Sequence, residues 1–157
     1  MKRLRHALLA GLTAIAAGLG GTAQANENQG DPSDILGTWT FTTKPYRGGD
    51  CQMSGTMVLS PSPEKGVYAC ELTAIEKCSM WGQSVVMQSC TVRRFGDQVS
   101  VRSYIEEMLE VKPQAEGLVY VPDNFALTVQ SENRMYGSLI SAATAPVEFI
   151  RNLDGIG

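Results

Sequence analysis

From Ile35 onward the chain is a succession of short β-prone runs, rich in Val, Thr, Ile and aromatic residues, in which apolar and polar residues alternate. A period of two is typical of β-strands, because successive side chains of a strand point to opposite faces. Segments rich in Gly, Pro, Asn and Asp separate the runs, and these residues favour turns. The runs predicted as strands are Leu36–Thr43, Gln52–Ser60, Val67–Ile75, Ser84–Phe95, Gln98–Tyr104, Leu118–Val121, Phe125–Ser131, Arg134–Ala142 and Val147–Arg151.

These runs predict a single all-β domain over residues 35–157, with consecutive antiparallel strands joined by short hairpins. Eight or nine strands without long interposed helices fit an up-and-down barrel of about eight strands. A β-sandwich is the alternative architecture. A closed barrel leaves no sheet edge exposed to pair with another chain, so we expect a monomer.

One segment, 104–111, departs from this pattern. Ser103 and Glu106 have the spacing of a helix capping box, and apolar residues recur at helical intervals after Ile105. This spacing predicts one short helix over 104–111. A long bent strand is the alternative, since the alternation that begins at Val99 continues through Ile105.

The first 25 residues have the three parts of a secretory signal peptide. Met1–His6 is positively charged, Ala7–Leu19 is apolar, and Ala23–Ala25 provides a small-x-small cleavage site. We expect cleavage after Ala25, which leaves Asn26–Asp34 as a polar, flexible leader. The protein is then periplasmic or secreted.

Removal of that segment changes the charge balance of the chain. The full chain carries a formal charge of −3, but Lys2, Arg3 and Arg5 leave with the signal peptide, so 10 cations remain against 16 acids and the net charge is −6. An acidic chain without Lys/Arg clusters is a poor binder of nucleic acids. No second long apolar run follows, so we expect no membrane span.

Four cysteines remain after the predicted cleavage: Cys51, Cys70, Cys78 and Cys90. In an oxidising compartment they indicate two disulfides, for which three connectivities exist. No two of them form a C-x-x-C pair, and the single histidine of the chain lies in the signal peptide. A zinc or redox site is therefore not expected.

Hairpin register ranks the three connectivities. A turn between Pro61 and Gly66 brings Cys51 close to Cys78, and a turn at residues 79–82 places Cys70 opposite Cys90. A Cys70–Cys78 bond would have to span about 26 Å of one strand, whereas disulfide Cα atoms lie within about 7 Å. We therefore predict the pairs Cys51–Cys78 and Cys70–Cys90.

The residue types needed for common catalytic sites are missing from the mature chain. Without a histidine there is no Ser–His relay, and with all thiols paired there is no thiolate nucleophile. Glu106, Glu107 and Glu110 form the densest acidic cluster, which we interpret as a solvated face. We expect no enzyme activity, no catalytic residue, no metal and no cofactor.

The two ends of the β-rich region carry a related pair of motifs. Gly37 and Trp39 form Gly-x-Trp on the first strand, and Arg151 shares a face of the last strand with Val147 and Phe149. In an up-and-down barrel the first and last strands are neighbours. The guanidinium of Arg151 can then stack on the indole of Trp39, which assigns Gly37, Trp39 and Arg151 a structural role in barrel closure.

This arrangement resembles the calycin superfamily of lipocalins, avidins and small bacterial metalloprotease inhibitors. The stretch LGTW is similar to the opening of the avidin and inhibitor barrels, and Cys51, early in strand two, resembles the inhibitors. The chain lacks the avidin biotin set, and it has four cysteines where the inhibitors have one disulfide. The phrases CELTAIEKCSMWG and YVPDNFALTVQS also resemble a family of secreted bacterial proteins, a likeness that implies no activity.

Two functions follow from this interpretation. The first is a binding protein that holds a small apolar or amphipathic ligand inside the barrel. The second is a protein-binding module, such as a periplasmic protease inhibitor that acts through its leader at 26–34. The inward-facing residues predicted to line a ligand pocket are Trp39, Phe41, Phe125, Leu127, Met135, Leu139 and Phe149.

Overall fold

The computed structural model describes residues 35–111 and 119–153. The predicted signal peptide at 1–25 and the leader at 26–34 lie outside these residues. The described strands are β1 (Gly37–Thr43), β2 (Cys51–Pro61), β3 (Val67–Cys78), β4 (Gly82–Phe95), β5 (Gln98–Glu110), β6 (Asn124–Ser131), β7 (Arg134–Ile140) and β8 (Thr144–Arg151).

The eight strands form one closed antiparallel barrel in chain order. The first and last strands close it, with pairing from Trp39–Arg151 to Thr43–Val147. The barrel prediction is confirmed, and the sandwich is excluded because a single sheet closes on itself. Among the described residues, no helix has both the length and the apolar character needed to cross a membrane.

The helix predicted at 104–111 is wrong, because this segment continues β5 as far as Glu110. Its pairing with β4 runs from Phe95–Gln98 to Val85–Glu110, with two register shifts on the way. The backbone N–H and C=O groups of this segment are paired with β4, whereas in a helix they would pair within the segment itself. The hydroxyl of Ser103 donates to the carbonyl of Asp123 (2.7 Å) instead of capping a helix.

The strand predicted at Leu118–Val121 is also wrong for the residues that the structure describes. Residues 119–123 run as irregular backbone into β6, and Leu118 lies outside the described range. β5 pairs with β6 only over Gln98–Val101, although its pairing with β4 is much longer. The 119–123 segment therefore lies where the β5–β6 ladder is absent.

Two disulfides link β2, β3 and β4. Cys51–Cys78 joins β2 to β3 with a Cα separation of 4.0 Å, and Cys70–Cys90 joins β3 to β4 with 4.8 Å. These are the pairs that the hairpin register predicts. Both cystines occupy directly opposed positions of antiparallel strands. Such bonds are typical of proteins that function in an oxidising, extracellular environment.

One end of the barrel, here called the Trp39 end, is closed by the motifs at the two ends of the sheet. Trp39 is fully buried, and its indole nitrogen donates to the carbonyl of Ile35 (2.9 Å). The guanidinium of Arg151 lies 4.5 Å from the centre of the Trp39 ring and donates to the carbonyls of Leu36 (2.5 Å) and Glu132 (2.7 Å). The charge of Arg151 is thus satisfied by backbone oxygens.

Gly37 lies beside this contact, and its backbone conformation favours glycine. Its φ of 111° lies in the region that side-chain-bearing residues rarely adopt, and a Cβ at this position would lie 3.7 Å from a guanidinium nitrogen of Arg151.

The middle of the barrel is filled by three aromatic rings. Phe41, Phe125 and Phe149 contact one another with ring centroids 5.0 to 5.3 Å apart. Two of these contacts are edge-to-face and one is stacked, which are the favourable geometries for aromatic pairs. The Trp39 end and the middle of the interior are therefore a packed core.

Candidate ligand-binding site

The interior becomes polar toward the end opposite Trp39. Glu76, Ser84, Gln88, Ser103 and Asp123 are all buried there, between 0% and 8% exposed. Each lies on or directly beside a strand that also carries buried apolar residues. The barrel interior therefore has an apolar half and a polar half.

A cavity of about 90 Å³ opens in this polar half, which we call the cavity end. The β1–β2, β3–β4 and β7–β8 connections, the end of β5 and the 119–121 segment surround it. Its wall is mixed in chemistry. It contains three aromatic rings, two charged side chains, two serines, the Cys51–Cys78 disulfide and apolar residues: Tyr46, Trp81, Tyr120, Glu76, Arg47, Ser84, Ser141, Met53, Met108, Val111, Val119, Val121, Leu139, Ala142 and Ala143.

The structure places one of the predicted ligand-binding residues, Leu139, in the wall of this cavity. The other six are packed elsewhere in the interior, each between 0% and 2% exposed: Trp39, Phe41, Phe125, Leu127, Met135 and Phe149. The three phenylalanines among them contact one another and fill this part of the interior, so they do not line the cavity.

The β1–β2 turn positions Tyr46 over the cavity. Tyr46 and Cys51 exchange two backbone hydrogen bonds (2.9 and 3.2 Å), and residues 47–49 between them have positive φ. Gly48 and Gly49 adopt this conformation at low cost. The turn therefore holds the Tyr46 ring above the ends of β2 and β3.

Tyr46 donates a hydrogen bond of 2.5 Å to Oε1 of Glu76. Glu76 lies opposite Met53 on β2 and Ser84 on β4, so β3 directs its carboxylate inward at the cavity end. Burial raises the pKa of Tyr46, and the hydrogen bond to Glu76 and the charge of Glu76 raise it further. The phenol stays protonated and remains a donor to the carboxylate.

A second buried carboxyl group, Asp123, lies behind the cavity wall. Its Oδ2 accepts hydrogen bonds from Gln88 and Tyr120 (both 2.7 Å), and its backbone N–H donates to Gln88 (2.9 Å). Oδ1 is buried without a partner of hydrogen-bond geometry, and the nearby hydroxyl of Ser141 donates to the carbonyl of Val121 (2.9 Å).

Burial raises the pKa of Asp123, because the charged form is desolvated, and the charge of Glu76 adds to this. The hydrogen bonds from Tyr120 and Gln88 and the hydroxyl of Ser141 oppose the rise. Burial likewise raises the pKa of Tyr120, with the charge of Asp123 as the next cause. The cavity end therefore holds two buried acids, Glu76 and Asp123, and each accepts a hydrogen bond from a tyrosine hydroxyl.

The buried ionisable side chains of this region are all acidic. Among the residues that the structure describes, the buried charged side chains are Glu76 and Asp123, and both are acidic. Arg47 also lines the cavity, but its side chain is exposed to solvent. An interior of this kind favours hydrogen-bond donors and cations over anions.

The described group closest to a metal ligand set is Asp50, Cys51 and Cys78, but both sulfurs are in the disulfide and Asp50 accepts hydrogen bonds from the hydroxyl of Ser79 and the backbone N–H of Met80. These residues do not fit a metal ion. The predicted solvated cluster Glu106, Glu107 and Glu110 is exposed on the outside of β5.

Sequence reasoning missed the polar residues of the cavity. Alternation could have found Glu76, because it shares the period-two face of Leu72, Ala74 and Cys78 and is the acidic member of that face. Asp123 stands between Pro122 and Asn124, residues that favour turns, so no strand periodicity marks it as buried.

No family model matches the chain, and no curated protein matches it. Solved structures with the same fold include the redesigned β-barrel b11L5F_LGL, with a TM-score of 0.54, 13% identity and coverage of 78% of this chain and 95% of that one. Another is the redesigned β-barrel mFAP1 bound to DFHBI, with a TM-score of 0.50, 14% identity and coverage of 77% and 97%. These likenesses show the fold alone, a closed antiparallel β-barrel.

Proposed function

We propose that this protein is an exported, monomeric, non-catalytic binding protein that holds a small amphipathic ligand at the cavity end of its barrel. The observation that carries the proposal is the cavity of about 90 Å³, whose wall combines apolar side chains such as Met53 and Leu139 with the carboxylate of Glu76. Ligand sites are typically apolar concavities with a few fixed polar groups.

The packing of the interior supports this position for the ligand. Phe41, Phe125 and Phe149 fill the middle of the barrel, and Trp39 and Arg151 close the far end. An engineered cavity of roughly 150 Å³ holds benzene. A ligand with more than a few heavy atoms in this smaller cavity must therefore extend outward, toward the exposed Val119 and the half-exposed Trp81.

The fold and the fixed carboxylates also support binding. The solved structure of mFAP1 contains DFHBI, so a barrel of this fold accommodates a small molecule. In the present chain Glu76 and Asp123 are already hydrogen-bonded to Tyr46, Tyr120 and Gln88. Acids held by such donors have defined positions, which is what recognition requires.

Native mass spectrometry of protein purified from the exported fraction tests the proposal. We expect a small molecule bound to the wild-type protein and lost from Ala142→Trp, because Ala142 is an exposed residue that lines the cavity. Ala69→Trp is the matched control, since Ala69 is exposed on the outer face of β3. A wild-type protein that carries no small molecule, or a ligand equally retained by Ala142→Trp, would contradict the proposal.

The protease-inhibitor hypothesis depends on the leader at 26–34, which lies outside the described residues. Deletion of this leader separates the two functions. Under the ligand-binding proposal, the barrel without its leader should still retain the ligand. An inhibitor that acts through its leader would instead lose its inhibitory activity.

A further inference from the structure

The electrostatics of the cavity end indicate the chemical class of the ligand. We propose, on the basis of the binding function above, that the ligand carries a cationic nitrogen, such as a primary ammonium group, that pairs with Glu76 among the rings of Tyr46, Trp81 and Tyr120. No residue assigned from the sequence alone belongs to this set.

Glu76 is the first contact in this proposal. Its carboxylate lies in the cavity wall, 8% exposed, and Tyr46 fixes Oε1 through a hydrogen bond of 2.5 Å. A carboxylate offers about four acceptor positions, so it can accept an N–H from a ligand in addition to the Tyr46 hydroxyl. A charge-assisted hydrogen bond to an ammonium group is roughly twice as strong as a neutral one.

The aromatic rings are the second contact. Tyr46, Trp81 and Tyr120 all line the cavity, and the electron-rich faces of such rings attract cations. The two phenols point their hydroxyl groups at Glu76 and Asp123 (2.5 and 2.7 Å), so these hydroxyls are already engaged as donors to acids. Their rings and the indole of Trp81 are what remains for the ligand body.

The buried charges give the third reason. Among the described residues, the buried side chains of Asp, Glu, Lys or Arg are Glu76 and Asp123, and both are acids. Asp123 lies directly behind Tyr120, which lines the cavity, so the carboxylate in the wall itself is that of Glu76. Arg47 also lines the cavity, but its exposed guanidinium is screened by water, whereas Glu76 acts in a region of low dielectric. The cavity therefore favours a cation over a neutral molecule of the same shape, and disfavours an anion.

Three probes of one shape test this directly: benzylamine, benzyl alcohol and benzoate, each titrated at neutral pH and observed by NMR through the amide resonances of the cavity residues. We expect benzylammonium to bind at least about tenfold more tightly than benzyl alcohol, and benzoate not to bind. Glu76→Gln should remove this preference. Glu110→Gln is the matched control, because Glu110 is an exposed acid at the end of β5 that should leave the preference intact.

Trp81→Leu is a second variant that tests the same inference if Glu76→Gln does not fold. Trp81 is 38% exposed and Met80, its neighbour outside the cavity wall, is 76% exposed. Trp81→Leu should weaken the binding of benzylammonium more than the binding of benzyl alcohol. Met80→Leu should leave both affinities unchanged.

The outcomes separate the two proposals. Equal affinities for benzylammonium and benzyl alcohol in the wild-type protein would overturn the cation inference and leave the binding function standing. If none of the three probes shifts a cavity resonance at millimolar concentration, both the cation inference and the ligand-binding proposal fail.

Discussion

Trp39 and Arg151 show how two residues far apart in sequence close the barrel. The indole is completely buried, and the guanidinium covers its ring while donating to a carbonyl just before β1 and to one in the β6–β7 turn. Arg151 therefore has a packing role as well as an electrostatic one, because its flat guanidinium takes the place of an apolar cover.

Truncation of these two side chains should show that they act together. We expect Trp39→Ala to cost about 3–5 kcal/mol of unfolding free energy. We expect Arg151→Ala to be destabilising, and the double variant to lose less than the sum of the two, with a coupling of about 0.5–3 kcal/mol. Urea unfolding of the four proteins measures the cycle. Arg102→Ala is the control, since Arg102 is exposed on β5; a coupling of zero would show that the stacked pair contributes no stability.

At the other end of the barrel, Asp123 makes stability depend on pH. In the unfolded chain it ionises near the ordinary value of 3.8, but in the folded protein burial raises its pKa. The folded state therefore holds this proton more tightly, and the stability contributed by the neutral form is present at low pH and lost as the pH rises through the folded pKa. Two neighbouring titratable groups also act on this pKa: the hydrogen bond from Tyr120 lowers it, and the charge of Glu76 raises it.

Asp123→Asn should remove that dependence, because the amide does not titrate. We expect the stability of Asp123→Asn relative to wild type to increase as the pH rises above the ordinary value of 3.8, because only the wild-type protein loses stability as its buried carboxyl ionises. Urea unfolding at several pH values measures it, and Asp97→Asn, at an exposed acid, is the matched control. A stability difference that is constant over these pH values would show that the buried carboxyl keeps its ordinary pKa.

At the scale of strands, alternation and turn residues were enough to predict most of the sheet. The ends of the runs predicted for β1 and β7 lie within two residues of the ends of the observed strands, since turn residues follow both runs closely. β5 was cut short because a capping-box spacing is a local signal, whereas its extension to Glu110 depends on partners in β4. The contacts of Tyr46 and Tyr120 with the buried acids depend on loops, so no strand periodicity could reveal them.

The two disulfides share β3 but lie at different distances from the cavity. Cys51–Cys78 lines the cavity, whereas Cys70–Cys90 lies nearer the Trp39 end, opposite Leu59 on β2. They close loops of 27 and 20 residues in sequence separation. Disulfides of this kind restrict the unfolded chain and typically contribute about 2–4 kcal/mol each.

Removal of each disulfide should therefore cost similar stability but change different regions. We expect Cys51→Ala with Cys78→Ala, and Cys70→Ala with Cys90→Ala, each to lower the unfolding free energy by about 2–4 kcal/mol. Hydrogen exchange should show faster opening of the turns at 46–51 and 78–82 only in the first double variant, because that bond holds both turns. Equal exchange of these turns in the two variants would show that the cavity end does not depend on its own disulfide.

At the scale of the whole molecule, the apolar packing and the buried polar residues lie at opposite ends of one barrel. The Trp39 end supplies stability through buried rings and a satisfied guanidinium. The cavity end holds buried polar groups, whose desolvation is unfavourable unless they are paired. A barrel tolerates that arrangement because closure of the sheet and the disulfides hold its wall in place independently of the polar interior.

Export and oxidation of the whole chain are expected to go together. If residues 1–25 act as a signal peptide, the exported protein begins at Asn26, and its mass is lower by the four hydrogens of two disulfides. N-terminal sequencing and intact mass spectrometry measure both properties. Changing Ala23 and Ala25 together to Leu removes the small-x-small site, so this control should retain Met1. Wild-type protein that retains Met1, or that is exported with four free thiols, would contradict the secretory prediction, because the oxidising compartment is what allows both cystines to form.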